Sequence, residues 1–189
     1  MLTQNSKLKK TSKLNNLRVF NFGIPAQDTC LWAGGCKKYC YASKGAYIWG
    51  NVKPAFERRL ELTKQKDFPR LMLEEIRKKK AQVIRIHDSG DFYSREYMRK
   101  WFKVMDQLPE VTFYAYSKSL PLFEGERLPT NFILIKSEGG TRDDLIREGD
   151  RHARIFQTEK ELIDAGYANA SKDDLKAIGD NKKIGLIAH

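Results

Sequence analysis

Long apolar runs and familiar hydrolase or nucleotide-binding motifs are both missing from this sequence. No stretch reaches the roughly 20 apolar residues that a helix needs to cross a bilayer. Met1-Leu2-Thr3-Gln4-Asn5-Ser6-Lys7 has no apolar leader region behind it, so neither a membrane anchor nor secretion is expected. No P-loop, HExxH helix or Ser-His-Asp order is present, which argues against those hydrolase and nucleotide-binding classes. Acidic residues are absent before Asp28, although five cations (Lys7, Lys9, Lys10, Lys13 and Arg18) precede it. Cysteine is scarce as well, with three in 189 residues. The expected compartment is the cytoplasm, where thiols stay reduced and ligate metals more readily than they form disulfides.

What is present starts with those cysteines. All three fall in Thr29-Cys30-Leu31-Trp32-Ala33-Gly34-Gly35-Cys36-Lys37-Lys38-Tyr39-Cys40-Tyr41-Ala42, a C-x5-C-x3-C pattern interrupted by two glycines. Three thiolates on one short, flexible loop can converge on a metal. Structural zinc closes its shell with four protein ligands, whereas a 4Fe-4S cluster on three cysteines leaves one iron open to another molecule. Three unrelated thiols, or a disulfide with a spare, are the plainer readings. The net charge of +11 and pI near 9.5 suit a polyanionic partner, and equally a well-solvated surface.

A chain of this length supports one domain with a sizeable core. Residues 1–16 are lysine-rich without apolar periodicity and read as a flexible basic arm, leaving 17–189 as the folded domain. Strands are expected to begin near Arg18, Gln82, Val111, Asn131, Arg154 and Ile184, mostly with helices between them. Val52–Ala81 reads as two helices divided at Asp67-Phe68-Pro69. Ser94 caps a further helix with Tyr97, Trp101, Val104, Met105 and Leu108 as its inner stripe. Pro121, Gly125 and Pro129 crowd the interval before the fourth strand and disfavour a helix there. No sequence-level repeat is apparent.

The predicted fold is therefore α/β: a partial (β/α)6 TIM-like barrel with a parallel sheet. Such a sheet gathers its functional loops at the carboxyl ends of its strands. The cysteine loop, His87–Asp91, Ser117–Ser119 and Ser137–Gly140 each follow a strand, so they are expected on one face. Ala46-Tyr47-Ile48-Trp49 is expected to add aromatic cover beside the cysteines.

In this arrangement the sequence resembles the radical S-adenosylmethionine (SAM) enzymes, partial barrels with three cysteines after strand one and a glycine-and-acid motif after strand two. More narrowly, Thr29-Cys30, Cys40-Tyr41-Ala42, Arg85-Ile86-His87-Asp88-Ser89-Gly90-Asp91-Phe92 and Phe113-Tyr114-Ala115-Tyr116-Ser117-Lys118-Ser119 are similar to a family of bacteriophage proteins described as radical-SAM-like. The narrow match spans roughly Phe22 to Ser119. The resemblance implies an enzyme with a 4Fe-4S cluster on Cys30, Cys36 and Cys40. It implies S-adenosylmethionine bound by Ser89, Gly90, Asp91, Ser117 and Lys118, an external electron donor and, if phage-encoded, a place in the infected cell's cytoplasm.

Two features depart from that superfamily. Its usual cysteine spacing is C-x3-C-x2-C, with an aromatic before the last cysteine; both gaps are longer here, though Tyr39 precedes Cys40. The acid is Asp91 rather than glutamate, one methylene shorter. Basic flanks and exposed aromatics such as Tyr47 or Trp49 make a nucleic acid or nucleotide the expected substrate. Two other readings stand beside this one. One is a nucleic-acid-binding module in which the three cysteines and His87 close a zinc site. The other is a degenerate barrel that binds a host protein.

Overall fold

The computed structural model describes residues 1–188, apart from the side chains of Tyr39, Tyr41 and Ala46. Its centre is a curled, half-barrel sheet of seven parallel strands: β1 (Val19–Phe22), β2 (Val83–Ile86), β3 (Thr112–Ser117), β4 (Phe132–Ser137), β5 (His152–Phe156), β6 (Ala168–Asn169) and β7 (Lys183–Ile187). Their order is β1-β2-β3-β4-β5-β7-β6. The expected single-domain partial barrel is borne out, with one strand more than expected. The addition, β6, is a two-residue edge strand paired outside β7, too short and too polar to leave a period in the sequence.

Helices cover the outer face. α2 (Lys53–Lys64) and α3 (Phe68–Lys79) link β1 to β2, and α4 (Arg95–Asp106) links β2 to β3. Ser94 caps α4 by accepting a hydrogen bond from the Tyr97 amide at 3.2 Å. The expected inner stripe of α4 is buried. Against it and α3 pack Phe22, Ile84, Ile86 and Phe113, the alternate residues of the first three strands. Lys100 turns its ammonium onto the carbonyls of Thr63 and Lys64, at 3.0 and 3.1 Å. It thereby satisfies the free end of α2 and locks it to α4. From β3 onward the connections shorten. The intervals β3–β4, β4–β5 and β6–β7 carry only single 3-10 turns, and α5 (Glu159–Asp164) joins β5 to β6.

The inner face differs from expectation. Residues 6–15, read as part of a flexible arm, form helix α1 (Ser6–Asn15), with Leu8 and Thr11 buried. With the 3-10 turn Asp174–Ala177, α1 covers the strand residues Val19, Val83, Tyr114 and Ile184. Asp174 anchors it from a fully buried position, accepting from Lys7 Nζ at 2.6 Å, from Arg85 Nη1 at 3.1 Å and from the Tyr114 hydroxyl. Burial alone would raise the Asp174 pKa, but the charges of Arg85 and Lys7 hold it below the ordinary carboxylate value. Just before α1, Thr3 pairs antiparallel with Asn21 through two backbone hydrogen bonds of 2.9 and 2.8 Å. That pairing covers the open edge of β1. The α1 helix leads into the amino end of β1, so its lysine run approaches the sheet from the end opposite the cysteine loop, not at the mouth.

Candidate metal and cofactor site

Four loops meet at the carboxyl ends of β1 to β4, as the strand order requires. The first two are fused backbone to backbone. The Ile24 amide donates to the Ser89 carbonyl at 3.0 Å. Thr29 closes its own turn onto the Pro25 carbonyl at 2.6 Å, and the same hydroxyl accepts from the Asp91 amide at 3.3 Å. Gly90 sits between them at φ +80°, where a Cβ would lie 2.5 Å from Ile24 Cγ1 and 2.7 Å from Thr29 Oγ1. Only glycine fits this junction. The close approach that Gly90 permits is thus to the first loop of the protein itself. Gly23 has a comparable role at the end of β1, where a side chain would overlap the Asp88 carboxylate and Phe56.

Asp91 joins the second loop to the third. Its Oδ1 accepts from the Phe92 amide at 2.8 Å and the Ser117 hydroxyl at 2.7 Å, and its Oδ2 from the Lys118 amide at 2.8 Å. Burial raises its pKa above the ordinary carboxylate value despite those donors and the nearby Lys118 charge. A carboxylate oxygen has two acceptor positions, so Oδ2 retains one. Ser117 is also engaged on its acceptor side, receiving the Ser119 amide at 3.0 Å.

Lys118 carries the linkage into the fourth loop, donating to Ser137 Oγ at 2.6 Å. That loop clasps the cysteine segment: the Gly34 amide donates to the Gly139 carbonyl at 3.2 Å and the Thr141 amide to the Trp32 carbonyl at 2.9 Å, around an antiparallel bridge between Ala33 and Gly140. Asp143 fixes the Gly139 and Gly140 amides at 2.8 and 2.9 Å. Asp143 is a contributor that sequence reasoning missed, while Thr29 and Ser137 lay in segments expected on this face but had no role assigned. Their roles depend on partners in other loops, and no local spacing announces them.

The cysteines are free and half-buried. The segment from Gly35 to Ile48 runs through three successive 3-10 turns. The Cys30 thiol is pushed up to about 11, first by burial, then by the Asp91 charge and further by Cys40 and Cys36. Among the described residues, however, no group of three or more His, Cys, Asp or Glu side chains is gathered closely enough to hold a metal ion. The donor set suits a cluster in type and place, three sulfurs on one loop beside a carboxylate, and binding would have to draw the sulfurs together. Tyr39, expected before the last cysteine, has its side chain outside the described residues, as does Ala46. Of the expected aromatic cover, Tyr47 packs on Phe56 with ring centres 5.7 Å apart, while Ile48 and Trp49 face solvent.

His87 does not complete a zinc site with the cysteines. Strand alternation would send it to the inner face with Arg85, but a left-handed φ of +67° turns its ring outward. There it packs edge-on to Phe92 at 4.6 Å, and Nε2 hydrogen-bonds the Tyr97 hydroxyl at 2.9 Å. Burial lowers its pKa to about 3. It is a neutral core histidine.

Fold and site together define a single-domain α/β half-barrel with a cysteine-bearing loop at the mouth. No described helix is long and apolar enough to cross a membrane. The family described as Gene product 88 matches residues 1–189, and the chain belongs to it. It is similar to the Gene 88 protein of Mycobacterium phage L5, with 31% identity over 94 residues, and to that of Mycobacterium phage D29, with 30% over 94 residues. Each alignment covers 44% of this chain, which spans only 39% of the length of the relative it matches. No solved structure matches. The expected membership in a bacteriophage family is thus shown, and no radical SAM family is among the matches.

Proposed function

We propose that this half-barrel is a radical SAM-type enzyme whose substrate is a nucleic acid or a nucleotide-derived molecule. The observation that carries the reading is geometric: all three cysteines follow β1 on a loop that is fused, through Ile24, Thr29 and Gly90, to the Asp91 loop at the carboxyl ends of a parallel half-barrel. In this reading Cys30, Cys36 and Cys40 hold three irons of a 4Fe-4S cluster. Such a cluster, reduced by an external electron donor, would supply the one electron that splits a carbon-sulfur bond of S-adenosylmethionine into methionine and a 5'-deoxyadenosyl radical able to take hydrogen from the substrate. Asp91 keeps one acceptor position for the SAM ammonium. Its larger role is to hold Ser117 and Lys118 in place. The Lys118 ammonium, anchored on a neutral serine, is available to a carboxylate or phosphate. Gly90 and Ser89 shape the floor by fixing the second loop against the first. The +11 charge favours the polyanionic substrate.

Anaerobic purification followed by iron, sulfide and zinc analysis is the test. The reading expects a brown protein with iron and sulfide that is lost when Cys30, Cys36 or Cys40 is changed singly to Ala. In the loaded protein, Lys118→Ala should weaken SAM binding by about tenfold or more, the cost of one charge-assisted hydrogen bond. A colourless protein holding one zinc, or a loaded protein indifferent to SAM, would overturn it. A degenerate barrel that binds a host protein is the second reading. What favours it is the engagement of both Asp91 oxygens by the protein's own donors.

A further inference from the structure

The cysteine loop combines an acid-free, cationic stretch with exposed large apolar side chains. Between Asp28 and Glu57 the chain contains no acidic residue, while it carries Lys37, Lys38, Lys44 and Lys53. All four are exposed, and among the described residues none forms an ion pair. Elsewhere some cations are neutralised, such as Lys64 by Glu61, Arg70 by Asp67 and Glu74, Arg95 and Arg99 by Glu126, and Lys160 by Asp164, while Lys9, Lys10 and Lys13 of α1 resemble the loop lysines but have no indole beside them. The same segment presents Leu31, Ile48 and Trp49 at 53, 59 and 60% exposure, half of the six large hydrophobic side chains that the described surface leaves exposed. Scattered singly, such side chains need no explanation. Three on one acid-free loop at the mouth of the site do.

We propose that the segment from Leu31 to Lys53 is a binding surface for single-stranded nucleic acid, with the Trp49 indole stacking on a base and the lysines following the phosphates. An exposed indole flanked by unpaired cations is the composition that binds such strands without sequence preference, because every unpaired base offers a π-face. A duplex keeps those faces covered, so stacking selects the single strand. The α1 lysines are excluded from this surface, since α1 approaches the opposite end of the sheet and is held through Lys7 on Asp174. This inference rests on the nucleic-acid component of the proposed function. It requires no cluster and no turnover, so loss of the iron–sulfur reading leaves it standing.

The test is fluorescence anisotropy with labelled DNA and RNA strands of about 16 nucleotides and their duplexes, across a salt series, using protein as purified and after metal removal. Single strands should bind more tightly than duplexes. Trp49→Ala should weaken that binding about tenfold, while Trp49→Phe keeps most of it. Changing Lys37, Lys38 and Lys44 together to Ala should reduce the slope of log affinity against log salt by about 0.7 for each phosphate no longer neutralised. Changing Lys9, Lys10 and Lys13 to Ala should leave the slope nearly unaltered. Circular dichroism of each variant is to verify that it stays folded. Unchanged affinity in Trp49→Ala, an equal loss from the α1 variant, or preference for duplex would overturn the proposal. Absence of any binding at low salt would do the same and turn attention to an acidic protein partner.

Discussion

The backbone amide of Lys118 donates to the Asp91 carboxylate at 2.8 Å, joining the loop after β2 to the loop after β3. With the Ser117 hydroxyl and the Phe92 amide on the other oxygen, it makes Asp91 the residue that fixes the backbone from which the Lys118 side chain reaches Ser137. Asp91→Ala should therefore destabilise the whole fold, leaving three donors, two of them buried, without an acceptor. A cost on the order of 3 kcal/mol is expected in urea denaturation, since each orphaned donor costs about 1–3 kcal/mol before relaxation. A loss below about 0.5 kcal/mol, within the range of an ordinary surface substitution, would show that Asp91 does not hold these loops.

Gly90→Ala should be among the most damaging single-methyl additions. The left-handed conformation costs a non-glycine residue roughly 1–2 kcal/mol, and the contact with Ile24 adds about 1–3 kcal/mol of overpacking. Gly35→Ala in the cysteine loop is the control. Its added methyl meets nothing within 4 Å, so its midpoint of unfolding should hardly move. Equal effects at the two positions would contradict the packing described for the β1 and β2 loops.

Asp174→Ala should cost about 3–5 kcal/mol, the usual range when one partner of a buried ion pair is removed. Lys7→Met in the same background should recover some of that loss, because the ammonium left behind is 2.6 Å from the missing carboxylate. Simple additivity of the two substitutions in a double-mutant cycle would show that α1 is not held electrostatically.

Stability should fall as pH drops from about 6.5, and His87 sets the upper portion of that fall. In the unfolded chain His87 takes up a proton near its ordinary pKa of 6.5, whereas in the fold burial delays protonation to about 3. Over that window the unfolded state binds more protons, so stability rises with pH by about 1.4 kcal/mol per unit. Glu75 and Asp174 also have lowered values, but they start from 4.5 and 3.8 and act mainly below pH 5, whereas Asp91, raised by burial, has the opposite sign and offsets part of the slope, so the histidine share is read from the difference between the protein and its His87 variant. His87→Asn, which tolerates the left-handed backbone, should flatten the curve there. An unaltered curve would mean that His87 is not buried as a neutral group.

The alternation of strands and helices is legible in the chain before any folding. β-branched and aromatic runs such as Val83–Ile86 and Thr112–Ser117 have the strand period. The stripe Tyr97, Trp101, Val104, Met105 has the helical one, and Ser94 and Pro69 mark helix starts through local backbone chemistry. Because parallel strands send their polar loops to one end, the sequence also indicated that Cys30, Asp91 and Lys118 share a face. What these residues do to one another emerged only from the packed structure. α1 was illegible because its buried side is a single leucine, a threonine and a lysine whose partner, Asp174, lies far along the chain. Gly90 was legible as a glycine in a loop, but the Ile24 and Thr29 atoms that require it come from another loop. The left-handed turn at His87 followed from the aromatic packing it enters, not from its neighbours in sequence. Local periodicity is written in adjacent residues, whereas the engagement of a carboxylate, the burial of an ammonium and the facing of a ring depend on groups brought together only when the sheet curls.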